Sequence, residues 1–330
     1  MKQLLKYLVL LICVLTLTSS SKHTTIFVIG DSTAAEKSNA DTNPERGWAM
    51  VLQGFFTENV SIDNHAVNGR SSKSFIDEGR WQKVLDKIVP GDYVIIQFGH
   101  NDEKPKADRH TDPGSTFDDN LRRFVRETRA KGGIPILMNA VVRRNFYSKP
   151  DGNDDDEKLR NTVNDGDEIV NSDTLIDTHG AYIVSPRVVA QQENCIFIDA
   201  NKITHDIEQS MGVKGSRKLH MWFTPGEIAS IPKGRKDNTH YNVYGARIMA
   251  GAFADALAAK VPALKKSIRH YDFVVSSEGR GNYMNLQAAV DAAPANEKTT
   301  ILVLNGSWNK PVITNNKKIK FVKYSCVKIK

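Results

Sequence analysis

The sequence predicts an α/β fold, a three-layer αβα sandwich in which a mostly parallel sheet lies between two layers of helices. The chain contains short, wholly apolar segments that end in glycine or polar residues. Continuous apolar runs of this kind are typical of strands that are buried on both faces of a parallel sheet. Segments with helical periodicity alternate with these strands along the chain. The chain has 330 residues, of which 40% are hydrophobic and 25% charged, a composition typical of globular proteins.

Four apolar segments are predicted as strands: residues 25–29, 93–98, 134–139 and 195–199. Four segments with helical periodicity are predicted as helices: residues 79–89, 116–131, 181–192 and 242–260. The acidic segment 151–173 interrupts the alternation and is predicted as a surface loop without the spacing of an EF-hand. Ligands of parallel sheets bind at the carboxyl ends of the strands, so we expect the reactive side chains there.

Residues 1–21 have the features of a secretory signal peptide. Lys2 and Lys6 precede an apolar run over residues 7–17, and small residues for cleavage follow at 18–21. The run is shorter than the roughly 20 residues that span a bilayer. We therefore expect a secreted or periplasmic protein that has no membrane segment after cleavage; an uncleaved anchor is the alternative.

The net charge of +7 comes from the ends of the chain. Residues 301–330 hold seven lysines and no acid, and residues 1–21 hold two more lysines. Subtracting the charges of these nine lysines from the net charge of +7 leaves a net charge of −2 for residues 22–300. A nucleic-acid-binding protein would need basic residues on a face of the folded body, so this class of partner is excluded.

The three cysteines exclude two further classes of protein, a disulfide-framed miniprotein and a Cys₄ zinc protein. Cys13 lies in the predicted signal peptide. The remaining two, Cys195 and Cys326, show no framework spacing, and we expect both to be unpaired.

Two motifs suggest a nucleophile and its base. Ser32 follows the first predicted strand within Gly30-Asp31-Ser32-Thr33, where a hydroxyl and a backbone N–H can face the same space; taken alone, the motif also fits a helix N-cap. Asp237 precedes His240 by three residues, so the carboxylate can hold Nδ1 and leave Nε2 free as a base. Asp177-Thr178-His179 is a competing pair.

Two further motifs suggest groups that bind an oxyanion. Gly69 lies in a polar segment where a glycine lets the backbone approach a ligand closely. Asn101 follows the second predicted strand within Gly99-His100-Asn101-Asp102, and its side-chain amide can donate to a developing negative charge. Each motif taken alone is also compatible with an ordinary turn.

In this order, the four motifs resemble the SGNH (GDSL-type) hydrolases, and more closely their rhamnogalacturonan acetylesterase-like branch, carbohydrate esterase family 12. The resemblance covers about residues 24–260. The further segments that carry it are Asp177-Thr178-His179-Gly180, Lys218-Leu219-His220, Pro225-Gly226-Glu227 and Tyr244-Gly245-Ala246-Arg247. The long acidic loop at 151–173 departs from the family pattern.

The resemblance implies a role for each candidate residue. Ser32 would be the nucleophile, His240 the general base and Asp237 the residue that orients His240. The oxyanion hole would consist of the N–H groups of Ser32 and Gly69 and the side chain of Asn101. It implies no metal and no organic cofactor.

The substrate implied by the resemblance is acetylated pectic polysaccharide, especially rhamnogalacturonan. Arg143 and Arg144 follow a predicted strand end and are candidates to bind uronate carboxylates. His179 is a further candidate for substrate binding. The sequence gives no indication of the oligomeric state.

Residues 273–304 resemble the opening of the pectin methylesterase family, a right-handed parallel β-helix. The matching segments are Gly279-Arg280-Gly281-Asn282-Tyr283, residues 286–294 and Asn305-Gly306-Ser307-Trp308. The chain ends before that family's catalytic residues, so we expect a short, incomplete β-helix start, poorly ordered and without methylesterase activity. The expected domains are thus a signal peptide (1–21), an esterase (22–265) and this fragment (266–330).

Three alternatives remain open at this point. An esterase of the same superfamily could act on acetylated xylan or on lipids with the same catalytic residues. A noncatalytic carbohydrate-binding protein would need a decayed set of catalytic residues, whereas all of them are present in this sequence. Methylesterase activity from residues 266–330 would need aspartates that are missing.

Overall fold

In the computed structural model, which describes residues 23–148, 163–166 and 168–330, a five-stranded parallel sheet organises the chain. Its strands are β1 (Thr24–Gly30), β2 (Val60–Asn64), β3 (Tyr93–Gln97), β4 (Ile134–Met138) and β5 (Ile196–Ile198). They lie in the order β2-β1-β3-β4-β5, and each neighbouring pair is parallel. The five carboxyl ends therefore share one edge of the sheet, where ligands bind in such folds.

Helices cover both faces of the sheet. In chain order they are α1 (Ser72–Asp77), α2 (Arg80–Leu85), α3 (Thr116–Ala130), α4 (Ser185–Gln192), α5 (Ala200–Ser216), α6 (Val243–Lys260) and α7 (Pro262–Lys265). Three 3₁₀ helices accompany them: Ala49–Phe55, Gly180–Ile183 and Arg217–Leu219.

The side chains of β1 alternate between two hydrophobic cores. Ile26 and Val28 pack in one core with residues of Ala49–Phe55 and α6. Phe27 and Ile29 pack in the other with residues of α1 to α4. This alternation follows from the pleat of a strand, and it confirms the predicted three-layer arrangement.

Some predicted elements differ from the observed ones. The predicted helix over 79–89 is shorter, because Gly79, at φ 66°, separates α1 from α2 and the helix ends at Leu85. The start of the predicted helix over 181–192 is a 3₁₀ turn. Two observed elements were not predicted. The sequence of β2 mixes apolar and polar residues, and the helical backbone of α5 is interrupted by Gly212 at φ 68°.

Residues 273–330 form a smaller unit of parallel strands. β6 (Phe273–Val275), β7 (Lys298–Val303) and β9 (Lys318–Lys323) pair in that order, and β8 (Ser307–Trp308) pairs with β10 (Lys328–Ile329). The helix α8 (Leu286–Ala292) covers a core with Val275, Ile301 and Val303. The expectation of a poorly ordered segment is therefore wrong, because its apolar side chains bury one another.

This unit also packs on the larger one. The hydroxyl of Tyr324 donates to the carbonyl of Phe56 at 2.8 Å and accepts from Gln53 Nε2 at 2.9 Å. Arg46 Nε donates to the carbonyl of Gly279 at 2.9 Å. The two units are thus joined by polar contacts, of which the Arg46 bond is buried, as well as by the connecting chain.

The predicted signal peptide and most of the acidic segment 151–173 lie outside the described residues. Among the helices that are described, none is both long and apolar enough to cross a membrane. Cys195 is half-buried and Cys326 is exposed; both are unpaired, as expected.

Candidate active site

Ser32 lies on a tight turn directly after β1. The carboxylate of Asp31 fixes this turn by accepting the backbone N–H of Thr33 at 2.9 Å and its hydroxyl at 2.8 Å. No helix follows the turn directly, so the helix N-cap that the motif taken alone would also fit is not observed. Asp31 is fully buried, and burial raises the pKa of its carboxyl. The half-buried Ser32 hydroxyl is thereby presented at the carboxyl edge of the sheet.

His240 and Asp237 lie in the loop that precedes α6. The carboxylate oxygens of Asp237 lie 3.0 and 3.1 Å from His240 Nδ1, and one of them also accepts the backbone N–H of His240 at 2.9 Å. Asp237 is completely buried and His240 nearly so. The carboxylate therefore fixes both the position and the orientation of the imidazole ring.

The free edge of this imidazole reaches the serine. His240 Nε2 lies 2.9 Å from Ser32 Oγ, within hydrogen-bonding range, although 208 residues separate the two in the chain. In this arrangement the imidazole can remove the proton of the serine hydroxyl, and the carboxylate can stabilise the resulting imidazolium.

Two of the three candidate oxyanion donors, Gly69 and Asn101, lie in segments that contact each other. Gly69 has φ 75°, a left-handed conformation that favours glycine. Asn101 donates one amide N–H to the carbonyl of Arg70 at 3.2 Å, next to Gly69. In the described part of the chain, the N–H groups of Ser32 and Gly69 donate to no other backbone group. Neither N–H group is therefore committed to a backbone acceptor.

Asp102 supports the loop that carries Asn101. Its carboxylate accepts the N–H of Gly99 at 3.2 Å, the hydroxyl of Thr111 at 3.0 Å, and both the N–H and the hydroxyl of Ser72 at 3.0 and 2.5 Å. Burial raises the pKa of this carboxyl to about 7. These contacts fasten the end of β3 to the segment after Gly69.

Arg144 is buried among polar partners, and its prediction as a substrate ligand is wrong. It is 1% exposed, and its guanidinium pairs with Glu168 and donates to Ser216 and Asn238, both at 3.0 Å. A strand end places a residue near the site, but the direction of the side chain is decided by its partners. In this case the partners direct it inward.

His179 is also unavailable to a substrate, so this prediction is wrong as well. It is 2% exposed, and its ring nitrogens contact Glu103 Oε2 at 2.9 Å and the carbonyl of Val141 at 3.1 Å. Asp177 accepts the backbone N–H of His179 at 2.9 Å, so the competing Asp/His pair only stabilises a turn. Arg143 pairs with the same Glu103 and keeps 12% of its side chain exposed.

A cleft opens beside the start of α6, and its lining does not include Ser32, Asp237 or His240. Its volume is about 610 Å³, and its lining includes Arg217, Lys218, Trp222, Asn242 and the exposed Tyr244. Aromatic rings and cationic side chains thus line the same surface. Among the described residues, no three His, Cys, Asp or Glu side chains are grouped to hold a metal ion.

The candidate catalytic residues are linked by three charged residues that no sequence motif marks. Lys37 contacts Ser32, Arg235 contacts Asp237, and Glu45 pairs with both Lys37 and Arg235. Arg235 Nη2 lies 2.6 Å from Asp237 Oδ2 and 3.1 Å from Glu45 Oε2. Their contacts join segments about 190 residues apart. No local motif marks such a pairing.

Comparison with known proteins places this geometry in context. A model of the GDSL-like lipase/acylhydrolase family matches residues 26–253. The rhamnogalacturonan acetylesterase RhgT of Bacillus subtilis (strain 168) is 33% identical over 255 residues, which cover 77% of this chain and 96% of RhgT. The probable rhamnogalacturonan acetylesterase YesY of the same strain is 30% identical over 236 residues, 70% of this chain and 91% of YesY.

A solved structure shares the fold. The crystal structure of protein YxiM from Bacillus subtilis superposes with a TM-score of 0.54 at 24% sequence identity, covering 72% of this chain and 56% of that one. The match to a parallel α/β architecture confirms the fold class predicted from the sequence.

Proposed function

The chain belongs to the GDSL-like lipase/acylhydrolase family and is a carboxylic ester hydrolase; from this premise we propose that it removes acetyl groups from pectic polysaccharide, with rhamnogalacturonan as its main substrate. The observation that carries the proposal is the continuous contact from Asp237 through His240 to Ser32, in which Nε2 lies 2.9 Å from Oγ. This is the arrangement that activates a serine for acyl transfer.

In the first half of the proposed reaction, Ser32 Oγ attacks the acetyl carbonyl carbon and His240 Nε2 takes the hydroxyl proton. The carbonyl oxygen becomes an oxyanion that accepts from the N–H groups of Ser32 and Gly69 and from Asn101. The intermediate then breaks its bond to the sugar oxygen, which leaves as a hydroxyl with the proton from His240. An acetyl group remains on Ser32.

In the second half, water repeats the sequence. His240 takes a proton from water, the hydroxide oxygen attacks the acetyl-enzyme carbonyl, and the second tetrahedral intermediate expels Ser32 Oγ. The serine regains its proton from His240, and acetic acid leaves and loses its proton to the solvent as acetate. Asp237 stabilises the imidazolium in both halves, so no external oxidant, metal or cofactor takes part in the proposed cycle.

Two observations support a pectic substrate. RhgT and YesY, by their names, act or are thought to act on rhamnogalacturonan, and this chain spans almost all of both proteins. The lining of the cleft beside α6 includes the exposed Lys218, whose ammonium group suits a uronate carboxylate. A secretory signal at residues 1–21 would deliver the enzyme to such a polymer outside the cytoplasm.

We also propose that residues 266–330 are the start of a β-helix related to pectin methylesterases. In support, β6, β7 and β9 stack in parallel and in chain order, as successive coils of a parallel β-helix do. A piece without catalytic residues would not release methanol. Residues 266–330 would then stabilise the esterase unit, through the contacts of Tyr324 with Gln53 and Phe56.

The test is acetate release from acetylated rhamnogalacturonan, acetylated homogalacturonan and acetylated xylan, with methanol measured in parallel. The native chain is compared with Ser32→Ala and with Ser38→Ala, an exposed serine that serves as matched control. We expect acetate from rhamnogalacturonan above all, none with Ser32→Ala, full release with Ser38→Ala, and no methanol. Preference for xylan would contradict the substrate, and an active Ser32→Ala would contradict the mechanism.

A further inference from the structure

Lys37 holds the backbone of the candidate nucleophile in place. Its ammonium donates to the carbonyl of Ser32 at 2.6 Å and to Asn68 Oδ1 at 2.7 Å, and it pairs with Glu45 Oε1 at 2.9 Å. Three acceptors match the three N–H bonds of an ammonium group. The side chain is 3% exposed, so water has little access to replace these acceptors. Lys37 thus joins the Ser32 peptide to the residue preceding Gly69.

Glu45 continues the connection to the carboxylate that orients the base. Its oxygen Oε2 lies 3.1 Å from Arg235 Nη2, which lies 2.6 Å from Asp237 Oδ2. Since Asp237 holds His240 and His240 contacts Ser32, the chain of contacts closes on itself. Six residues form this ring, and its links measure between 2.6 and 3.1 Å.

The backbone strengthens the same connection. Glu45 forms an isolated antiparallel bridge with Asn242, and the N–H of Arg46 donates to the carbonyl of Tyr241 at 3.0 Å. The segment that carries Glu45 is therefore fixed to the segment that carries His240. A shift of one would move the other.

Charges alternate around the ring. The cations Lys37 and Arg235 stand between the carboxylates Glu45 and Asp237, so the ring is neutral when His240 is neutral. Burial by itself would raise the pKa of Glu45, but the positive charges of His240, Lys37 and Arg235 outweigh it and lower this pKa to about 2. Buried charges persist only when they are paired in this way, and removing one partner leaves the others uncompensated.

From these contacts, and resting on the proposed serine esterase function, we propose that Lys37, Glu45 and Arg235 are positioning residues for ester hydrolysis. They hold the Ser32 peptide, the Gly69 turn and the carboxylate of Asp237 in the alignment that attack on the ester requires. Displacements of about 1 Å in such groups cost up to about 10²-fold in rate, even when the substituted residue touches no substrate.

The proposal also predicts opposite effects of two substitutions on the pH dependence. The charged and titratable groups that face His240 are Asp237 and Arg235 from its own loop, Glu45 and Lys37 from the segment after β1, Asp31 beside the nucleophile, and His100 after β3. Glu45→Gln removes a negative charge and disfavours the imidazolium form of His240. Lys37→Met removes a positive charge and favours that form.

The experiment measures kcat and KM of Lys37→Met, Glu45→Gln and Glu45→Asp with p-nitrophenyl acetate across pH, after circular dichroism and thermal unfolding confirm that each variant is folded. Lys202→Met is the matched control, since it removes an exposed lysine paired with Asp206 on α5. Ser32→Ala is included as the reference for the mechanism. We expect kcat of Lys37→Met to fall about 10-fold to 10²-fold with KM changed less than about threefold.

The pH profiles provide the readout that general destabilisation would not produce. The acidic limb of the rate profile should move to lower pH in Glu45→Gln and to higher pH in Lys37→Met, each by on the order of half a pH unit. Glu45→Asp, which keeps the charge, should restore the native limb. If Lys37→Met does not fold, the pH profiles of Glu45→Gln and Glu45→Asp test the proposal by themselves.

The proposal is overturned if folded Lys37→Met keeps native kcat, if both limbs move in the same direction, or if Glu45→Gln and Glu45→Asp have the same profile. A fully active Ser32→Ala would instead defeat the proposed function. The two failures are therefore distinguishable in one set of measurements.

Discussion

Replacing Glu45 with glutamine should change the acid stability of the fold in a defined pH window. The pKa of Glu45 falls from an ordinary value of 4.5 to about 2, despite burial, because of the surrounding positive charges of His240, Lys37 and Arg235. A lowered pKa means that the folded state gains stability above the pKa of the unfolded chain and loses it as pH falls toward 2. The difference of about 2.5 pKa units corresponds to about 3 kcal/mol of stability in the charge state in which His240 is protonated.

The pH dependence of this contribution can be worked out from the same two values. Between pH 6 and pH 3, the Glu45 carboxyl becomes protonated in the unfolded chain but stays ionised in the folded protein. The contribution of Glu45 to the free energy of unfolding therefore falls by roughly 2 kcal/mol over this range. Glutamine does not titrate. The free energy of unfolding of Glu45→Gln should therefore lie well below that of the native protein at pH 6, and the gap should narrow by roughly 2 kcal/mol at pH 3.

The assay is urea unfolding, followed by circular dichroism at several pH values between 6 and 3. Glu297→Gln, which changes an exposed glutamate outside the ring, is the control for the loss of a surface carboxylate. A gap between native and Glu45→Gln protein that remains constant over this range would refute the assignment of Glu45 as an ionised partner of Lys37 and Arg235.

Three further predictions concern the oxyanion donors, the base and the C-terminal unit. Asn101→Ala should lower kcat about 10²-fold to 10³-fold in steady-state assays, and an unchanged kcat would remove Asn101 from the oxyanion hole. Asp237→Asn should lower kcat by about 10⁴-fold, because the amide no longer fixes the reactive tautomer of His240; a loss confined to KM would contradict that role. Val303→Ala, at a fully buried position, should destabilise the protein by about 1–3 kcal/mol in urea unfolding while leaving kcat unchanged, and a lowered kcat would couple the C-terminal unit to the site.

The sequence was sufficient to predict the elements with strong local signals. The apolar strands β1, β3 and β4 are buried along most of their length, and this produces the uninterrupted runs seen at 25–29, 93–98 and 134–139. The edge strand β2 has polar positions at Ser61, Asp63 and Asn64, so it lacks such a run. Its place in the sheet follows from pairing with β1, which local sequence does not encode.

The same distinction applies to the site. Ser32 and His240 could be suggested from short motifs next to a predicted strand and a predicted helix, and the structure brings them to 2.9 Å. Lys37 could not be suggested in this way, because its three acceptors, one carbonyl and two side chains, belong to no local motif and meet only in the fold. For Arg144 the error is the opposite, because the sequence predicts a role that the structure excludes. A charged residue after a strand end suggests substrate binding, but Arg144 is paired with Glu168.

The most direct test of the account is to observe the acyl group on the enzyme. Native protein and Ser32→Ala are mixed with p-nitrophenyl acetate, quenched in acid within the first turnovers, and analysed by intact mass and peptide mapping. The account predicts one acetyl group per chain on the peptide that contains Ser32, and none on Ser32→Ala. Acetylation at another residue, or ester cleavage by Ser32→Ala at the native rate, would contradict it.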